Sequence, residues 1–129
     1  MARPTSRHPT ELELEILKIL WRQGPLRPRE VRDLLVGFRD LAYTSVVTIM
    51  NIMVGKGYLG RSKTGPTFVY RPRVSEATTT RRMLRDLVNR AFDGSAAAVL
   101  VNLLADADLD ADKVRELQAM LEAKAGARQ

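Results

Sequence analysis

The strongest constraint on this chain is an order of patterns: three helix-length apolar stripes, each closed by glycine, then a change to alternating runs after Gly57. Thr10 and Glu13 stand at capping-box spacing, and Glu11, Glu13 and Glu15 lie where the helix dipole favours acids. Leu12, Ile16, Ile19 and Leu20 then form one face, with Trp21 beside it, and Gly24-Pro25 ends the helix. A second helix is expected from Pro28, suited to a first helical position, to about Val36, with Val31, Leu34 and Leu35 inward and Gly37 as the stop. A short extended piece, Leu41 to Tyr43, leads to a third helix capped by Thr44 or Ser45. That segment is rich in β-branched residues, but Val46, Ile49, Met50 and Met53 have helical spacing, and Gly55 and Gly57 close it. Beyond it, Tyr58–Ser62 and Thr67–Arg71 read as two strands around a turn at Lys63–Pro66, with Pro72 closing the hairpin. Three helices and a hairpin in this order predict a winged helix-turn-helix, its second and third helices forming the pair and its hairpin the wing.

From Ser75 onward the pattern is helical again. Met83, Leu84, Leu87 and Val88 stripe one helix that ends near Phe92-Asp93-Gly94. Ser95 caps a second, carrying Val99, Leu100, Leu103 and Leu104, and Asp110 caps a third, carrying Val114, Leu117, Met120 and Leu121. Three short helices hold more apolar surface than so small a unit can bury, so a partner subunit in a two-fold dimer is expected. The fold class is therefore mainly α with a small antiparallel β-wing: a winged helix domain over residues 1–73 and a helical dimerisation domain over 74–129. Leu84, Leu87, Val88, Phe92, Val99, Leu100, Leu103, Leu104, Leu117 and Leu121 are the candidate dimer contacts.

Charge divides along the same line. Residues 1–73 hold 13 Lys/Arg against 6 Asp/Glu, a net +7, while residues 74–129 hold 8 against 9, a net −1. No acid occurs between Asp40 and Glu76, where Lys56, Arg61, Lys63, Arg71 and Arg73 all fall. Such a stretch implies an anionic partner, and nucleic acid is favoured over a membrane because no segment joins this charge to a lipid-facing amphipathic helix. No apolar run is long enough to span a bilayer, the N-terminal residues lack the apolar core of a secretory signal, and there is no cysteine. A cytoplasmic protein without disulfides or membrane insertion is the expectation.

Reading DNA needs cations for phosphates and a helix with short polar side chains on its leading face. Tyr43, Thr44, Ser45, Thr48 and Asn51 supply that face, and Asn51 has the donor–acceptor pair that matches adenine. Lys56, Arg61 and Lys63 are candidate backbone contacts. The plainer reading makes Thr44 and Ser45 caps, Asn51 an exposed amide and each cation a surface charge. Two alternatives of other kinds are a winged-helix protein-assembly scaffold and a non-specific DNA-binding protein.

Residues 10–73 resemble the penicillinase-repressor family (BlaI/MecI repressors). The matching features run from Glu13-Leu14 to Leu20-Trp21, through Gly24-Pro25 and Arg29-Glu30-Val31, to Leu41-Ala42-Tyr43-Thr44-Ser45-Val46-Val47-Thr48. Lys56-Gly57, Arg61, Lys63, Gly65, Tyr70 and Pro72 continue the match through the wing; Phe92–Ser95 and Leu109–Leu117 extend it. The resemblance implies a homodimer that binds double-stranded operator DNA with dyad symmetry and blocks transcription. It also implies derepression through a membrane metalloprotease sensor that cuts an Asn-Phe bond. The matching position is Asn102-Leu103, where Leu replaces Phe, so Leu103 is either part of a cleavage position or an apolar core residue. Ile52, Gly55 and Pro66 stand where basic residues are common in the family, and the cysteines of its copper-responsive relatives are absent.

Little else in the sequence carries chemistry. The one histidine, His8, lies in a polar tail beside Arg7. Asp106, Asp108, Asp110 and Asp112 are spaced like the start of a calcium loop, but Ala111 and Leu117 occupy the positions that need Gly and Glu. No phosphate-binding glycine loop and no nucleophile–base set occurs, so no enzyme, cofactor or metal is expected.

Overall fold

The computed structural model describes residues 8–106 and 108–127. Its elements are α1 (Glu11–Gln23), α2 (Pro28–Leu35), α3 (Tyr43–Gly55), β1 (Leu59–Thr64), β2 (Thr67–Pro72), α4 (Glu76–Ala91), α5 (Ala96–Asp106) and α6 (Ala111–Ala127). The chain divides into two compact units between Arg85 and Asp86, inside α4, rather than at the 73/74 position read from charge and pattern. One reason is a bond that no local pattern reveals: the Trp21 indole N–H donates to the Val74 carbonyl at 2.9 Å and ties the segment after the wing to α1.

The first unit is built around ten buried side chains drawn from α1, α2, α3 and both strands. Ile16, Leu17 and Leu20 of α1 meet Val31 and Leu35 of α2 and Val46, Met50 and Met53 of α3, with Leu59 and Tyr70 closing the layer from the hairpin. Each fully buried side chain of this size stabilises the fold by about 1.5–3 kcal/mol relative to exposure. The capping box of α1 forms as its sequence predicts: the Thr10 hydroxyl accepts from the Glu13 N–H and the Glu13 carboxylate from the Thr10 N–H. In α2, Val31 and Leu35 set the buried line four residues apart, and Leu34, expected inward, falls to its side and is 50% exposed.

The third helix starts earlier than its capping residues suggest. Ala42 takes the extended N-cap conformation and its carbonyl accepts from the Val46 N–H, so Tyr43 is helical rather than extended. Thr44 and Ser45 therefore sit inside the first turn instead of capping it. In the hairpin, Thr64 pairs with Thr67, which leaves only Gly65 and Pro66 in the turn and carries the first strand past Ser62 to Thr64. That strand begins at Leu59 rather than Tyr58, and Leu59 pairs with Pro72, one residue beyond the expected end of the second strand. Gly65 has φ +67°, available to glycine without strain, and the following proline fixes a negative φ, the pattern of a tight primed turn. A further rung was not legible: Leu26, between α1 and α2, exchanges both backbone hydrogen bonds with Tyr70.

The second unit consists of helices that do not cover one another's apolar faces. Ser95 caps α5 by accepting from the Ala98 N–H, and Asp110 caps α6 by accepting from the Lys113 N–H. No residue of α5 or α6 is buried.

Candidate nucleic-acid interface

The leading face of α3 is open. Thr44, Ser45 and Thr48 are exposed, and no side chain caps the helix. The Thr48 hydroxyl donates to the Thr44 carbonyl at 2.9 Å, so its proton is used within the helix and its oxygen remains available as an acceptor. Tyr43, half-buried at the head of the helix, is approached by the Arg29 guanidinium at 5.7 Å from the ring centroid.

Wing and helix are locked together by one amide. Asn51 Oδ1 accepts from Arg61 Nη1 and from the Tyr70 hydroxyl, each at 2.6 Å. Tyr70 is 1% exposed, so this oxygen anchors the wing to the core as well as to α3. Asn51 was expected to pair with adenine through both amide groups; its oxygen is committed within the protein, and the amide nitrogen alone remains to donate outward. Arg61 is further held by Phe68, whose ring centroid lies 4.5 Å from the guanidinium carbon. Strand alternation puts Arg61 and Lys63 on the face shared with their cross-strand partners Tyr70 and Phe68, the face turned to α3. Lys63 is exposed on that face, and Arg71, on the other, donates to the Ser62 hydroxyl at 2.8 Å.

Lys56 is placed otherwise than the sequence suggests. Its ammonium reaches the Glu13 carboxylate at 2.9 Å, and the two side chains are only 23% and 5% exposed. Glu13 would otherwise be a buried acid with only its capping bond, so Lys56 completes a structural pair. Tyr58 lies in the same electrostatic environment. Its phenol is pushed above its ordinary pKa by burial first and by the Glu13 charge second, with Lys56 opposing. Two cations outside the acid-free interval, Arg27 and Arg29 at the start of α2, also stand beside this face. Sequence reasoning missed them because they precede Glu30 and Asp33 on a short charged helix; the proline between them, fixing the helix start, was the available signal.

The two strongest pieces of the surface are thus an uncapped helix with hydroxyls outward and a basic hairpin rigidly joined to it. Comparison with known sequences gives this surface a context, because the profile of the penicillinase repressor family matches residues 9–123. The chain belongs to the penicillinase-repressor family. It is by that membership a transcriptional repressor rather than an enzyme. Within this family it is 31% identical to the transcriptional regulator BlaI of Mycobacterium tuberculosis over 121 residues, covering 92% of this chain and 88% of that one. It is 26% identical to the penicillinase repressor of Bacillus licheniformis over 113 residues, 88% of each chain. Among solved structures it is similar to the solution structure of the monomeric form of Bacillus licheniformis BlaI in complex with the blaP half-operator (27% identity, TM-score 0.46, 57% of this chain and 87% of that one). Apo MarR from E. coli shares the fold at TM-score 0.50 and 14% identity, over 89% of this chain and 76% of that one. No single helix among the described residues is long and apolar enough to cross a membrane.

Proposed function

We propose that this repressor binds double-stranded operator DNA in the cytoplasm as a homodimer, with α3 in the major groove and the wing against the adjacent backbone. The observation that carries this reading is the acid-free face formed by the first turns of α3 and the hairpin, with Thr44, Ser45 and Thr48 outward and Arg61 and Lys63 alongside. The hydroxyls read base edges or phosphates, the Asn51 nitrogen donates to an acceptor in the groove, and the cations neutralise backbone charge. Arg61 is pre-organised by Asn51 and Phe68, so less freedom is lost on binding.

Dimerisation is supported by apolar surface that α4, α5 and α6 leave open. Leu84, Leu87, Leu103, Leu104 and Leu121 are each 50–56% exposed, Leu100 and Leu117 are 41% and 37% exposed, and Val88, Phe92 and Val99 are half-buried. A groove of about 480 Å³ between α5 and α6, lined by Leu100, Leu104, Leu117 and Leu121 among others, belongs to this surface. A second copy of the chain covers it in our reading, and the dyad that results matches a symmetric operator.

Derepression by a membrane metalloprotease sensor at Asn102-Leu103 is the finer part of the proposal. Both residues are exposed, so Leu103 is not a core residue of the single subunit. They lie within α5, where the Asn102 amide donates to the Ala98 carbonyl, so cleavage requires local unwinding. Mass spectrometry after exposure to the cognate sensor should find a new terminus at Leu103; an intact chain rejects this step.

Operator binding is tested by titrating a labelled fragment of the upstream region of the protein's own gene against random DNA at two salt concentrations. We expect preference for the operator and a log–log salt slope of about −0.9 per phosphate neutralised. Equal affinity for both fragments would exclude sequence-specific repression.

A further inference from the structure

Beside the face that carries Thr44 and Ser45 lies a cleft of about 320 Å³, lined by Arg27, Pro28 and Arg29 of the α2 start, Tyr43 of α3, and Pro66 and Thr67 of the wing. Its walls come from three separate elements, and its chemistry is one-sided. Neither Arg27 nor Arg29 meets a carboxylate within ion-pair distance among the described residues. The nearby carboxylate, Glu30, accepts from the Arg27 backbone N–H at 3.0 Å and so holds the turn rather than the guanidinium. An arginine side chain has no acceptor with which to return that bond, which leaves the Arg27 fork unengaged by the cap. The Arg29 guanidinium carbon lies 5.7 Å from the Tyr43 ring centroid, a cation–π contact that leaves its N–H donors available.

Two arginines lining one concave site, with prolines as rigid walls, suit a tetrahedral oxyanion held by paired N–H donors. The placement beside the first turn of α3 matters more than the charge. With α3 in the major groove, as proposed above, a strand bordering that groove would pass beside this cleft, and the anion within reach would be a phosphodiester. We infer that Arg27 and Arg29 form a phosphodiester clamp that extends the DNA footprint from α3 and the wing onto α2. This clamp rests on the operator-binding reading above, and it adds contacts that fix position without reading sequence.

The full-length protein with Arg27→Gln and Arg29→Gln together is the direct test, compared with wild type and with the charge-preserving R27K/R29K variant. Gln retains much of each aliphatic stem, and thermal melting of the free proteins should be similar. The double Gln variant should bind operator and random DNA more weakly by the same factor, roughly tenfold, with its salt slope shallower by about 1 to 2. The Lys variant should recover the slope. Ethylation interference should show phosphates outside the α3 half-site that matter to wild type and no longer matter to the Gln variant. Wild type that binds its operator while the Gln variant keeps the wild-type slope overturns the clamp alone. Loss of operator preference in the Gln variant, with the slope unchanged, also overturns it, because that outcome belongs to base reading. Wild type with no affinity for DNA removes the operator-binding reading itself, and the clamp with it. A titration of the protein with inorganic phosphate, followed by NMR, separates the sources: shifts at Arg27 and Arg29 at micromolar phosphate would mark a free-anion site and count against a DNA contact.

Discussion

At the scale of residues, the two side chains whose roles changed most are Lys56 and Asn51. Both were candidate DNA contacts by residue type and position, and both are engaged inside the protein by partners far away in sequence. Glu13 lies 43 residues from Lys56, and Tyr70 lies 19 from Asn51. Periodicity carries no information about such pairs, which is why they were illegible. Replacing Lys56 with Met leaves a nearly buried carboxylate with only its capping bond. We expect a loss of about 2 kcal/mol, below the range for a fully buried pair because Lys56 keeps some solvent contact. Melting temperature checks the loss, and the salt slope of operator binding should stay at the wild-type value; a shallower slope would return Lys56 to the interface. Tyr58 gives a pH expectation with a definite sign. Its folded pKa is raised above 10.0, so above that pH the unfolded chain ionises first and folding stability declines. The contribution is complete below the unfolded pKa and is lost as pH rises through the folded one. Urea denaturation of wild type and Y58F should diverge only above about pH 10, with the Phe variant less sensitive to alkali.

Among the elements, helices with a side-chain acceptor at the N-cap were the most legible. The capping box of α1 and the caps at Ser95 and Asp110 all stand where the sequence puts them. The start of α3 was misplaced because its N-cap is alanine, which offers no acceptor, while two better-looking residues follow it. That gap gives an expectation of its own: Ala42 already has the N-cap conformation, so Ala42→Ser should stabilise the protein by about 1 kcal/mol, read as a higher melting temperature. An unchanged or lower value would contradict the assigned start of α3. The hairpin was visible from its alternation and Gly-Pro turn, but the Leu26 rung was not, since one residue of strand has no period. Of the candidate interface, Thr44, Ser45, Thr48, Arg61 and Lys63 were nameable from residue type once the helix and hairpin were placed. Arg27 and Arg29 were not, because their relevance depends on the wing turn folding back beside α2.

For the whole molecule, the contrast lies between a first unit with a closed core and a second with none. The sequence showed the apolar excess of the C-terminal helices, and the structure of one chain leaves that excess in solvent. A charge in the middle of it should prevent a partner from docking. Leu104→Asp, at a position 55% exposed in the single chain, should leave the fold of the first unit intact and shift sedimentation from dimer to monomer at micromolar concentration. A variant that still sediments as a dimer places the interface elsewhere. Hydroxyl-radical footprinting of the full-length protein on the upstream region of its own gene tests dimeric operator recognition most directly. Two protected half-sites related by a dyad and separated by about one helical turn, or a multiple of it, are the expected result. Uniform protection, or a single unsymmetric patch, would contradict a two-fold repressor bound through α3.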